Sequence, residues 1–351
     1  LPGAEENIEL AAGPTPHGYS QENRESMYRW FNKATGASDA QSEPEIIIEK
    51  DETLRCTPQG QVAALKSRTV FDFTAAKAKR LAGKRLPLKG KALHEALRAA
   101  LRMPETDGPP RVRNLRPKSP KRLYPSPFYM NYAVETEPGI QAIVTMLTQE
   151  RWNSRPPRAT GGGHAILYVS HHSADAELRG EPSLREIIEA AGEGAAVFAC
   201  DPRGVGESLP GTTTSDPNSY YGPDYFYTIY GNMLGRPYLG GKTHDVLRVI
   251  EWLGERGYGN IHLVASGWGT LPATFAALLS PGVVQVTLKN ALESYHDIAT
   301  TEHYAWPVST FLPGVLKTFD LPDCYRALEA KGLRQIEPLG AGQEPMPAKT
   351  A

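Results

Sequence analysis

Beyond residue 128 the chain alternates between short apolar runs and segments whose apolar positions recur at helical spacing. Runs at 132–135 and 140–147 flank Glu137-Pro138-Gly139 and predict an opening hairpin. Further apolar runs at 165–170, 195–200, 261–266, 283–288 and 333–338 predict strands. Between them, 184–191, 271–279 and 322–331 read as helices, and 243–253 carries Val246, Leu247, Ile250 and Leu253 on one face. Continuous apolar strands separated by helices imply a mostly parallel sheet with both faces covered. The expected fold class is α/β.

The earlier part of the chain follows a different pattern. Residues 7–12 make a strand-compatible run, and a turn-rich loop at 13–19 holds His17. Ser20 then predicts an N-cap for a helix over 21–32 that ends before Gly36. Residues 45–49 and 60–65 are expected as strands, and 73–82 and 90–102 as helices, the second with Leu93, Leu97 and Leu101 at four-residue spacing. Residues 103–127 are rich in proline and basic side chains, among them Arg111, Arg113, Arg116, Lys118, Lys121 and Arg122. A basic run without interleaved aromatics reads as a solvated linker rather than a nucleic-acid surface. The expected organisation is therefore residues 1–36, a connector over 37–127 and a domain over 128–345.

Composition narrows the partners. The 351 residues carry 38 Lys and Arg against 39 Asp and Glu, a net charge of −1, which gives no global pull toward nucleic acid or membrane. No apolar run approaches the roughly 20 residues that span a bilayer. The three cysteines, Cys56, Cys200 and Cys324, are too scattered for a disulfide framework or a zinc site. His296 and His303 lie near Glu293, Asp297 and Glu302, but the spacing matches no zinc signature and no metal is expected. Gly161-Gly162-Gly163 precedes a strand instead of following one, which argues against a phosphate-cradling loop, and no cofactor is expected. The chain starts at Leu1 without a signal-peptide pattern, which suggests a piece of a longer protein.

The chemistry centres on Ile261-His262-Leu263-Val264-Ala265-Ser266-Gly267-Trp268-Gly269, an apolar run, a small-residue turn and then a helical pattern. This is the outline of a nucleophile elbow, in which small residues let strand and helix pack closely. In the G-x-S-x-G form the central residue is the attacking serine. Here the five positions read Ala265, Ser266, Gly267, Trp268, Gly269, so Gly267 leaves the nucleophile position vacant and Ser266 lies one residue off. Similar signals come from Ser170-His171-His172-Ser173-Ala174-Asp175-Ala176-Glu177-Leu178, from Asp201-Pro202-Arg203-Gly204-Val205-Gly206-Glu207-Ser208, and from His17-Gly18-Tyr19 with Met27-Tyr28-Arg29-Trp30-Phe31. A weaker one is Phe319-Asp320-Leu321-Pro322-Asp323.

On these residues the chain resembles the α/β-hydrolase superfamily and, within it, bacterial acetyl xylan esterase-like proteins. The resemblance implies a tandem protein. Residues 1–36 resemble the closing strand, loop and helix of one hydrolase domain, with His17 in the place of its catalytic histidine. Residues 128–345 resemble a second, degenerate hydrolase-like domain. The implied activity of the intact protein is carboxylic-ester hydrolysis, the implied partner an upstream hydrolase domain, and the implied substrate class acylated carbohydrate.

Ester hydrolysis on this fold needs a serine, a histidine to take its proton, a carboxylate to orient that histidine and N–H groups to hold the oxyanion. The resemblance places the acid near Gly340, where only Glu337 is close. His171 and His172 fall on the oxyanion-hole loop, where their backbone rather than their rings is expected to matter. Asp201 and Arg203 read as a buried pair or a turn cap, and His244 as a packed or surface residue. Tyr225, in the aromatic stretch 220–227, and Trp268 offer faces suited to sugar stacking. Three functions follow: a non-catalytic second domain serving as scaffold or binding surface, an active serine esterase in which residues 1–36 dock His17 beside Ser266, or a carbohydrate-binding module in the vestigial cleft.

Overall fold

A computed structural model describes residues 3–115, 122–151, 155–159, 162–191, 194–210 and 224–344. The chain divides into two compact units between Arg68 and Thr69. The first contains α1 (Gln21–Thr35) and the short α2 (Asp51–Leu54). Ser20 caps α1 as its spacing predicts, its hydroxyl accepting the Asn23 N–H at 3.4 Å. Gly36, at φ +64°, closes the helix by donating to the Asn32 carbonyl. Arg24 holds Glu43 through two bonds of 2.6 and 2.7 Å, which keeps that carboxyl below its ordinary range.

Three strands expected in this unit do not form. Residues 7–12 follow a single turn at Glu5–Asn7 as irregular chain, with Leu10 fully in solvent. Residues 45–49 are likewise irregular, with Ile47 and Ile48 exposed, and 60–65 contain only a tight turn at Val62–Leu65. An extended segment keeps its shape by pairing its backbone N–H and C=O groups with a neighbour. No residue of α1 is buried, so this unit also lacks an apolar face on which strands could gather.

The second unit opens with α3 (Val70–Ala82) and α4 (Gly90–Leu101), followed by β1 (Arg111–Leu115), β2 (Phe128–Glu137), β3 (Ile140–Thr148) and β4 (His164–Val169). Then come α5 (Ala174–Gly180), α6 (Pro182–Ala191), β5 (Ala196–Asp201), α7 (Tyr225–Met233) and α8 (Tyr238–Glu255). The elbow strand β6 (Asn260–Ser266) leads into α9 (Thr270–Leu279), then β7 (Val283–Lys289), α10 (Tyr295–Thr300), α11 (Leu321–Leu328) and β8 (Arg334–Ile336). The sheet order is β1-β2-β3-β5-β4-β6-β7-β8. The first three pairings are antiparallel and the remaining four parallel.

The α/β expectation and the parallel centre of the sheet hold, but the start of this unit differs from the reading above. Part of the supposed linker is β1, which pairs with β2 from Arg111 opposite Glu135 to Leu115 opposite Asn131. Arg116, Lys118 and Lys121 fall outside the described residues. The leucines at four-residue spacing in α4, Leu93, Leu97 and Leu101, are completely buried in the main core. A connector helix with a continuous apolar stripe gains most by covering a sheet, which is what α4 does.

Side-chain alternation along each strand sorts the core into two layers. On one face Leu167, Val169, Phe198, Leu263 and Ala265 meet α4, α8, α9 and α11. On the other, Ile166, Tyr168, Val197, Ala199 and Val264 meet α5 and α6. The chain runs from β4 to β5 on one side, then crosses to β6 on the other. The C-terminal ends of β4 and β6 are therefore neighbours at the point where strand order reverses, the usual place for a ligand crevice in an open parallel sheet.

Candidate active site

The loop after β4 and the elbow after β6 meet at this reversal. Gly267 sits at the elbow tip with φ +51°, a left-handed backbone that glycine adopts without cost. Gly269, two residues on, lies against β4; a Cβ there would come within 2.4 Å of the Ser170 carbonyl oxygen and 2.6 Å of that of Val169. The close strand–helix packing expected of an elbow is thus present.

What fills the tip is an imidazole. A Cβ on Gly267 would lie 2.5 Å from His171 Nδ1 and 2.7 Å from its Cγ, so the ring occupies the space a nucleophile side chain needs. The same Nδ1 accepts the backbone N–H of Trp268 at 3.0 Å. That N–H belongs to the residue after the elbow's centre, the donor that would hold an oxyanion on this fold. Because Nδ1 accepts, the ring proton is assigned to Nε2. Burial, assisted by the neighbouring His172, pulls the His171 pKa down to about 4, so the ring is neutral near pH 7. His172 lies against it with centroids 3.6 Å apart, and Trp268 meets both rings edge-on at 4.8 and 4.5 Å.

The backbone N–H groups of the loop after β4, where the oxyanion-hole loop was expected, are also engaged. Glu177 accepts the N–H groups of His171 at 2.9 Å, His172 at 2.7 Å and Ser173 at 3.0 Å. It also accepts the Tyr168 hydroxyl at 2.7 Å. Charge-assisted bonds of this kind are roughly twice as strong as neutral ones and fix the loop. Asp201 clamps the base of the same loop, accepting from Ser170 Oγ at 2.6 Å, the Ala174 N–H at 2.7 Å and the Glu207 N–H at 2.9 Å. Burial raises its pKa to about 6 against the pull of those donors.

Several expectations change accordingly. The His171 ring, and not only its backbone, enters the site. Glu177 was not singled out by the sequence; its signal is an acidic residue in the first turn after the Ser173 cap. Asp201 is the turn cap anticipated, but Arg203 pairs elsewhere, with Asp245 at 2.7 Å and Glu137 at 2.6 Å. His244 is buried, its Nε2 3.1 Å from the Thr136 carbonyl.

Ser266 lies in extended backbone at the end of β6 and is buried. By strand alternation it shares the face of Val264, and its hydroxyl interacts with the Tyr168 phenol on the α5 side of the sheet. A one-residue offset from the tip thus becomes a change of face. After β8, Glu337 has φ +48° and an exposed side chain, while Gly340 is buried with its carbonyl accepting from Trp306 Nε1 at 2.9 Å. Tyr225 packs on Phe226 at 5.5 Å, in a different ring cluster from Trp268, and residues 220–223 of that stretch lie outside the described residues. His17 occupies an exposed loop of the first unit, without the strand expected before it. Among the described residues no three His, Cys, Asp or Glu side chains group as metal ligands, and no helix is long and apolar enough to cross a membrane.

The elbow, its glycines and the sheet order settle the architecture. This chain has an α/β-hydrolase fold. A solved structure with the same fold, a provisionally assigned acetyl xylan esterase from Bacteroides fragilis, superposes with a TM-score of 0.53. It is 17% identical over 81% of this chain and 75% of that one. The acetyl xylan esterase of a Paenibacillus species gives a TM-score of 0.39 at 15% identity, covering 76% of this chain and 74% of its own. Acetyl xylan esterase 1 of a Thermoanaerobacterium species gives 0.40 at 15% identity, covering 77% and 94%. No protein-family model matches the sequence, and a search of curated proteins finds no relative. The α/β-hydrolase fold seen here is thus shared with the Bacteroides fragilis protein at an identity too low to carry a substrate across.

Proposed function

We propose that the α/β-hydrolase-fold unit of this chain is a non-catalytic module, a scaffold or binding surface attached to carboxylic-ester hydrolysis performed elsewhere. The observation that carries this reading is the His171 ring, which fills the space in front of Gly267 and caps the Trp268 N–H. Acyl transfer on this fold needs a hydroxyl at the tip and free donors around the developing oxyanion. Here the tip has no side chain, one donor is capped by an imidazole and the adjacent loop donors are bound to a carboxylate. Ser266 faces the Tyr168–Glu177 side instead.

In this reading the hydrolytic partner is the active domain whose end the His17 segment resembles, and its substrate class is acylated carbohydrate, in line with the acetyl xylan esterases that share the fold. The test is direct. The chain is expected to hydrolyse p-nitrophenyl acetate no faster than buffer and to resist labelling by a fluorophosphonate probe. Turnover that disappears in Ser266→Ala would overturn the proposal.

A further inference from the structure

A cavity of about 230 Å³ lies away from the elbow, between α3, α10 and the turns that follow residue 310. Residues Thr74, Lys77, Ala78 and Leu81 of α3 line it, a spacing that places them on one helical face. Ile298, Ala299, Phe311, Leu312 and Val315 supply the opposite wall. The lining is mostly apolar, and the hydroxyl of Tyr295, another lining residue, is already committed to the Thr310 carbonyl at 2.8 Å. Two lysines, Lys77 and Lys317, are also among the lining residues. Both residues are exposed, and neither joins an ion pair among the described residues. None of the described lining residues carries a carboxylate, and Asp320, three residues beyond Lys317, is spent on the N–H groups of Tyr295, His296 and Leu321, the Ser294 hydroxyl and Arg85.

A mostly apolar pocket whose lining includes two exposed lysines is complementary to one ligand chemistry, a carboxylate carrying a short saturated tail. We propose that this cavity binds a medium-chain carboxylate, tail inward among Ala78, Leu81, Ile298 and Leu312, head group between Lys77 and Lys317. The volume falls below the roughly 300–1,000 Å³ of pockets that take drug-sized ligands, which limits the tail to a short one. The charge sets the polarity of entry: an alkylammonium of the same length meets two like charges, and an alcohol forgoes the attraction. This inference is independent of the reading of the elbow, since no residue of the two sites is shared.

Isothermal titration of the full chain with hexanoate, octanoate and octanol tests it. Octanoate is expected to bind more tightly than hexanoate by about fourfold for each methylene that fits, and more tightly than octanol. The double variant Lys77→Gln with Lys317→Gln is expected to weaken octanoate about fivefold and leave octanol unchanged, since exposed charges contribute modestly. Ala78→Met, which extends a side chain from the buried face of α3 into the void, is expected to abolish binding of both. Its thermal transition without ligand reports whether the fold survives the added volume. Octanol binding as tightly as octanoate, or no heat with either, would overturn the proposal, as would unaltered octanoate affinity in the double lysine variant.

Discussion

The body of α9 and the tip of the turn before it sit a few residues apart, and their surroundings were assembled in opposite ways. Every residue of α9 from Thr270 to Leu278 is buried, and Gly269 at its entry lies in contact distance of the β4 backbone. At Gly267 the surrounding space belongs to another loop, and an imidazole takes it. The helix and its glycine hinge are required by packing, whatever the chemistry. A nucleophile is required only by chemistry, so on the non-catalytic reading proposed above a glycine at the tip leaves the packing undisturbed and its space open to the nearest side chain. On that reading, an elbow persists as architecture without being a catalytic turn.

The contrast is most severely tested at Gly269. Replacing it with valine drives a side chain into two backbone carbonyls that cannot move aside, and we expect a loss of at least about 3 kcal/mol in urea denaturation. A near-neutral result would mean that strand and helix are not held by this close approach.

Acid comes next. Folding lowers the His171 pKa from 6.5 to about 4, so the unfolded chain binds the proton more readily. The contribution of this ring is complete above pH 6.5 and is lost as the pH falls toward 4, to a limit of about 3 kcal/mol. Protonation at Nδ1 would also set two N–H groups against each other at Trp268, expelling the ring from the tip. His171→Gln should flatten stability over that interval. Parallel curves for the two proteins would show that His171 is not the buried base.

The smallest expected effect is the most pointed. Gly267→Ser adds a Cβ at positive φ and against the His171 ring, for a cost of about 1–2 kcal/mol. Adding His171→Gly should recover the part due to the ring, visible as coupling in a double-mutant cycle. Neither variant should hydrolyse p-nitrophenyl acetate. Strict additivity would mean that the ring does not fill the nucleophile's space.

Much of the scaffold was legible because strands and helices declare themselves by local period. The apolar runs that became β4, β5 and β6 are buried on both faces, and both layers of the core follow their alternation. The misread segments are those in which local pattern met no partner or an unexpected one. Residues 7–12 and 45–49 look like strands but have nothing to pair with in their unit, while β1 lies in a proline-rich basic stretch and is a strand because β2 offers an edge. At the turn, the absence of a side chain at Gly267 could be read from the sequence directly. The roles of Glu177 and the His171 ring could not, because both depend on how one loop folds back on itself and on another.

The order of residues alone determined that the elbow's centre carries hydrogen in place of a side chain, since that is a statement about identity at one position. Which group would move into the space was decided by tertiary structure. The ring and the amide it caps are 97 residues apart, brought together because β4 and β6 are parallel neighbours at the reversal of strand order. Sequence spacing reports neighbours along a helix or strand, whereas contact across a sheet edge depends on topology and register.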